Sequence, residues 1–302
     1  MSQVTAPGAA AQRYELLRAL AAVADSPAAA ASACPALGLA DPGAAAHTDA
    51  FVLNCPPYAA IYLGEAGGLG GEGADRVAGF WRAIGLTPPA EPDHLAALLS
   101  LYASLGESVR QASRPAIAAA LTRARHALFH EHLWPWLPAY LDAVADLGIT
   151  ALTAWAGLTM RAVQAERIAL AAQSAGAGAG ALPLALRSAP LPAAAGSELG
   201  DLLAALTTPV RSGFILTRRQ LAAGAEAAGA GYRIGERRFA LRAMLDQAPA
   251  ETLGWLAGEA HRWQRRHAAR APGDPAHRWW AERARHTGGL LTAAAELADA
   301  IK

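Results

Sequence analysis

Leu95, Leu98, Leu99, Tyr102 and Leu105 lie 3, 4, 7 and 10 residues from the first of them, a spacing that puts all five on one side of an α-helix. The same period recurs along the chain. Leu16, Leu17, Leu20 and Val23 keep it within 13–24, and Val77, Phe80, Trp81 and Ile84 within 75–84. A helix after Pro115 carries Leu121, Leu128, His132 and Leu133, and helices over 140–148 and 149–172 follow. Towards the end, 236–247 reads as amphipathic, with Phe239, Leu241, Met244 and Leu245, and Leu253, Leu256, Ala260 and Trp263 share a face in the stretch 251–269. β-Branched residues are sparse and no segment alternates with period two, so strands have no signal to build on. The predicted fold class is all-α. Hydrophobic residues make up 53% of the chain, and alanine, the best helix former, supplies most of that surplus.

Punctuation divides the periodic stretches. The double proline Pro56-Pro57 forbids helix continuation. Gly85 stops one helix, and Glu91-Pro92-Asp93-His94 is expected to open the next, with proline in the first turn and acidic residues at the positive end of the dipole. Residues 67–73 read as a flexible turn. Thr217 and Gln220 have the capping-box spacing, and Asp274-Pro275 starts the terminal helix. Ala, Gly, Pro and Ser crowd 174–196 with no apolar period, which predicts a linker. The expected organisation is a helical domain over 1–170, a linker over 171–200 and a helical extension over 201–302.

Charge sets further limits. Charged residues are 17% of the chain, below the roughly 25% of an average soluble domain, and this excludes global disorder. No uninterrupted apolar run reaches the ~18 residues of a bilayer span, and 1–11 lacks the basic and apolar regions of a secretory signal. Two cysteines cannot frame a disulfide scaffold, so the expected setting is a reducing cytoplasm. Residues 1–200 carry 11 Arg and 15 acidic residues, net −4, whereas 201–302 carry 15 basic and 10 acidic residues, net +5.

Few motifs carry chemistry. A phosphate-binding GxxxxGK[ST] loop and a GxSxG nucleophile elbow are both missing, and 67–71 lacks the preceding strand that a dinucleotide fingerprint needs. His126 and His130 stand four apart on one helix, with His132 adjoining and His94 elsewhere. Two such histidines can grip zinc, but HExxH and cysteine pairs are lacking, so the expected role is hydrogen bonding at helix interfaces, with no metal and no cofactor. Arg262, Arg265 and Arg266, with Trp279, Trp280, Arg283 and Arg285, raise the alternative of a nucleic-acid-binding or regulatory protein. Glu251, Glu259, Asp274 and Glu282 dilute that charge, which favours a solvated helix face.

The central segment is more specific. In order along the chain stand Pro56-Pro57-Tyr58, the stretch 77–86 (VAGFWRAIGL), Glu91-Pro92-Asp93-His94-Leu95 running into Leu98, Leu99 and Tyr102, and 129–136 (FHEHLWPW). Over about residues 12–170 this pattern resembles the TorD/DmsD/NarJ family of cytoplasmic molybdoenzyme-assembly chaperones. The family usually places an acidic residue where this chain has Leu98, and 201–302 has no counterpart in its short members. The resemblance implies a helical bundle that performs no chemistry and needs no cofactor. The implied partner is a molybdopterin-containing oxidoreductase subunit or its twin-arginine signal peptide, with neither nucleic acid nor membrane insertion involved and a homodimer left open. Carried over by position, Glu91, Pro92, Asp93 and His94 sit at the peptide-binding site, with Tyr58, Trp81, His132 and Trp136 as further members. The physical requirement is consistent: guanidinium groups need carboxylates for paired hydrogen bonds, and the apolar stretch after them needs an apolar groove. For 201–302 two readings stand, a packed helical appendage or a second contact surface using Arg237, Arg238, Arg262, Arg265 and Arg266.

Overall fold

A computed structural model describes residues 8–173, 181–189 and 198–300. Among them the chain is all-α. In order come α1 (Ala9–Asp25), α2 (Pro27–Ala33), α3 (Gly43–Thr48), α4 (Ala59–Leu63), α5 (Gly71–Ala83), α6 (Leu95–Gln111), α7 (Pro115–Ala127), α8 (Leu137–Ala145) and α9 (Thr150–Gln173). Beyond these lie α10 (Leu184–Arg187), α11 (Leu199–Thr207), α12 (Pro209–Ser212), α13 (Arg218–Ala227), α14 (Arg237–Gln247), α15 (Pro249–Arg270) and α16 (Pro275–Ala300). Two wider π turns interrupt the series, Asp49–Asn54 and Leu128–Leu133. The only extended pairing among the described residues is one antiparallel bridge between Tyr58 and His94.

The chain divides into two compact units. The first comprises 1–59 and 74–179, the second 60–73 and 180–302. The expected organisation assigned 60–73 to the first domain. Gly67 gives a physical reason for the placement: its φ is +62°, and a Cβ there would lie 2.8 Å from the Thr208 hydroxyl, so this turn packs tightly on the start of α12. Of the predicted linker, 174–180 and 190–197 lie outside the described residues. Between them α10 buries Ala185 and Leu186, and the buried Arg283 donates its guanidinium to the Ala189 carbonyl at 3.1 Å.

In the first unit α1 lies against α6 closely enough that a side chain at Gly106 would overlap the Tyr14 ring. Leu17, Leu20 and Val23 of α1 are buried, as are all five residues of the Leu95 to Leu105 stripe. A carboxylate sits inside this packing. Glu166 of α9 is 2% exposed, accepts a hydrogen bond from the Tyr102 hydroxyl at 2.9 Å, and pairs with Arg125 at 3.3 Å and Arg13 at 3.4 Å. The Arg125 guanidinium also stands over the Tyr102 and Tyr14 rings, at 5.0 and 5.7 Å. Burial, and then the neighbouring Glu166 charge, push the Tyr102 phenol above its ordinary range. Two further buried bonds fasten α1: Trp155 donates its indole N–H to the Leu20 carbonyl at 3.0 Å, and His47 Nε2 meets the Val23 carbonyl at 3.1 Å.

In the second unit α15 and α16 pair lengthwise. His267 is stacked between Trp263 (5.4 Å) and Trp280 (5.7 Å), and His277 is 5.8 Å away. The predicted capping box is present, with Gln220 N–H bonded to the Thr217 hydroxyl (3.1 Å) and Thr217 N–H bonded to the Gln220 amide oxygen (2.9 Å). Asp274 Oδ1 caps α16 by accepting from Ala276 and His277. On α14 Leu241, Met244 and Leu245 are buried, whereas Phe239 is half exposed.

Two outcomes are expected. Glu166→Ala leaves the buried Arg125 without its carboxylate and lowers unfolding free energy by about 3–5 kcal/mol, read from urea denaturation at pH 7. His267 is held well below 6.5 by burial and then by its cationic neighbours His277, Arg270 and Arg266. Because the unfolded ring takes up a proton near 6.5 and the folded ring does not, stability falls as pH drops below that value, by about 1.4 kcal/mol per pH unit per histidine. The urea midpoint of the wild type at pH 5.5 relative to 7.5 should therefore fall further than that of His267→Leu.

Candidate functional site

Residues of the expected site meet where two non-helical segments are stitched together. Asn54 closes the first π turn by donating its side-chain amide to the Asp49 carbonyl (2.8 Å) and carboxylate (3.0 Å). Pro56 and Pro57 then hold the backbone out of helix. The Pro57 carbonyl accepts the Leu95 N–H at 2.8 Å, and the Ala59 N–H donates to the Asp93 carbonyl at 3.0 Å. These two bonds make the Tyr58–His94 bridge and satisfy one of the donors that the start of α6 leaves open. A second is satisfied by His94 itself, whose Nδ1 accepts the Ala96 N–H at 3.2 Å. His94 is thus the N-cap of α6, at φ −65° and ψ 139°.

The helix therefore begins at Leu95, after Glu91-Pro92-Asp93 has formed a turn, and not at Glu91 as the sequence suggested. The reason lies in that turn's tertiary contacts. Trp81 of α5 donates its indole N–H to the Pro92 carbonyl at 3.3 Å, which together with the Tyr58 bridge holds 91–94 in a non-helical path. Asp93 is 3% exposed and the Pro92 ring is buried, so the acidic residue at the surface of this turn is Glu91.

Around this junction opens a groove of about 480 Å³. Asp25, the last residue of α1, and Glu91 bring carboxylates to it; His94 adds a ring edge; Pro89, Ala90, Ala96 and Ala97 supply small apolar surface, and Ser100 a hydroxyl. The Tyr58 ring packs edge-on against His94 at 4.8 Å and 72°. Burial, then a hydrogen bond to the Glu91 carboxylate, push the Tyr58 phenol up to about 12, so it serves as a fixed donor at neutral pH. Burial lowers the His94 ring below 6.5, and Glu91, Asp25 and Asp93 pull it partly back. With Nδ1 accepting from Ala96, the neutral ring carries its proton on Nε2. The assembly is an anionic, partly apolar concavity whose walls are held by backbone bonds.

Of the eight expected residues, Tyr58, Trp81, Glu91, Pro92, Asp93 and His94 come together at this junction. Glu91 and His94 line the groove directly, while Trp81 and Tyr58 brace it. His132 and Trp136 sit in packing. Trp136 is wholly buried and donates its indole N–H to the His132 carbonyl at 2.8 Å. His132 packs on Phe80 at 5.1 Å, and burial, then Arg76, lower it to about 4. Leu98 is fully buried in the core. Sequence reasoning missed Asp25. Its signal was an acidic residue at the negative end of a helix dipole, a place where stability alone disfavours it. Among the described residues no group of three or more His, Cys, Asp or Glu is arranged to hold a metal, and the His126 and His130 rings stand 6.1 Å apart.

Residues 11–142 match the family described as nitrate reductase delta subunit. The matched stretch contains every residue that lines the groove and ends inside α8. Comparisons with curated proteins and with solved structures gave no match.

The cap is testable apart from any ligand. His94→Ala should lower thermal stability by about 1 kcal/mol, and His94→Asn, whose side-chain oxygen is a better acceptor for the Ala96 N–H, should restore it in a melting experiment.

Proposed function

We propose that this protein is a chaperone of molybdoenzyme assembly. It binds the twin-arginine signal peptide or the apo form of a molybdopterin-containing oxidoreductase subunit in the cytoplasm and holds it until the cofactor is inserted. The observation that carries the reading is the coincidence of the nitrate reductase delta subunit match with a groove that brings two carboxylates, Asp25 and Glu91, beside small apolar residues.

The chemistry of the groove supports such a client. Each guanidinium of an arginine pair takes charge-assisted hydrogen bonds from a carboxylate. The following apolar stretch gains from covering Pro89, Ala96 and Ala97. Asp25 and Glu91 reside on different segments, the end of α1 and the turn before α6, so together they read a spacing as well as a charge. Recognition requires no bond making in the protein. Among the described residues no helix is long and apolar enough to cross a membrane. Of the arginines that raised the nucleic-acid alternative, Arg262 pairs with Glu259, Arg285 with Glu282, and Arg283 donates to the Ala189 carbonyl, all within the second unit.

Calorimetric titration with a synthetic peptide carrying two consecutive arginines and an apolar tail tests the reading. Asp25→Asn combined with Glu91→Gln should weaken binding at least about tenfold, since two charge-assisted bonds are lost. Affinity unchanged in the double variant, for that peptide and for the apo oxidoreductase subunit, would show that the groove is not the client site.

A further inference from the structure

The second unit presents a surface that the groove's function does not use. Between α13 and α14 the chain runs from Gly231 to Ile234 without helix, turn or bend. This segment is clamped at one end. Gln247 of α14 accepts the Gly231 N–H at 2.9 Å, donates back to the Gly231 carbonyl at 3.3 Å, and is itself anchored on the Ala243 carbonyl at 2.7 Å. Past the clamp the backbone N–H and C=O groups of Tyr232, Arg233 and Ile234 have no partner among the described residues. Ile234 is 88% exposed and Phe239 51% exposed, so two large apolar side chains stand in solvent at this segment. A cleft of about 130 Å³ lies beside them, lined by Arg233, Phe239, Arg242, Ala243, Asp246 and Gln247. Arg233 has no ion-pair partner there, and Arg242 holds only an exposed pair with Asp246 at 3.4 Å, weak enough to be exchanged.

We infer that residues 231–235, with the Phe239 and Arg242 side of α14, form a second polypeptide-binding site that takes an extended, acidic and apolar segment of a partner by strand addition. Unpaired main-chain groups held in place by the Gln247 amide supply a ready ladder, the arrangement used wherever a peptide adds to an open edge. Alternating side chains of the incoming strand give the specificity. One apolar side chain lies on Phe239 and Ile234, and a carboxylate reaches Arg233 and Arg242. The charge sense is opposite to that of the Asp25–Glu91 groove, so the two sites select different segments. The five positive charges in excess over 201–302 favour approach of an acidic strand.

The test uses the full chain and two synthetic ten-residue peptides, one alternating Glu with Val and one alternating Lys with Val. Fluorescence anisotropy gives affinity, and amide chemical shifts give location. The expected result is binding of the Glu peptide alone, with shifts concentrated at 231–235 and 239–247. Affinity should fall about tenfold or more in Arg233→Glu and in Phe239→Ser, both exposed positions whose circular dichroism melts should match the wild type. Gln247→Ala should weaken it severalfold by loosening the segment. Equal binding of the Lys peptide, shifts mapping elsewhere, unaltered affinity in both exposed variants, or no binding up to about 1 mM would each overturn the assignment. So would a concentration-dependent dimer in sedimentation that Phe239→Ser abolishes, because the occupant would then be a second copy of this chain.

Discussion

One buried carboxylate fixes the frame of the first unit. Glu166 brings together Tyr102 of α6, Arg125 of α7 and Arg13 of α1 from its own place on α9, so four helices that are distant in sequence share one charge centre. A carboxylate removed from water this completely is tolerated only when its lone pairs are answered, and here a phenol and two guanidinium groups answer them. The network also sets a distance. Arg125 lies over the Tyr14 and Tyr102 rings, and Gly106 one turn further along α6 lets Tyr14 come into contact with that helix. Apolar packing alone would allow α1 and α6 to slide; the ion network and the missing side chain remove that freedom.

The site inherits its geometry from this frame. The α6 helix begins at the junction and carries Tyr102 of the network two turns further on, while α1 delivers Asp25 at its last residue. Once the two helices are locked, the relation between Asp25 and the α6 start is locked as well. What remains is the path of 91–94, and that is settled by backbone bonds to Pro57 and Ala59 and by the Trp81 indole. The cap by His94 adds a condition on protonation: only a neutral ring can accept the Ala96 N–H, and burial keeps it neutral.

The helical architecture was legible in the chain because its signals are local. The stripe from Leu95 to Leu105, the Thr217–Gln220 box and the Asp274 cap each depend on a few neighbouring residues, and each appears where the spacing put it. The beginning of α6 was misplaced by four residues because Pro92 and its acidic neighbours suit a first helical turn, and contacts from Trp81 and Tyr58 override that preference. Six of the eight proposed site residues converge, since the motif carries them together. His132 and Trp136 pack instead on Phe80 and Tyr140, a difference of tertiary placement that spacing does not encode. Asp25 was out of reach for another reason: its place in the groove depends on how α1 crosses α6, which is long-range information. Phe239 stands two positions before Leu241, roughly 200° round the helix from it, so its outward place on α14 follows from the period itself.

The second unit is assembled from two stretches of chain, 60–73 and 180–302. During synthesis the earlier stretch leaves the ribosome about a hundred residues ahead of its packing partners, a wait of ~5–20 s at ordinary translation rates. Through that interval the Gly67 turn has no Thr208 to close upon. A molecule cut short before Thr208 lacks one side of this contact, so the second unit closes only once its later stretch has been made.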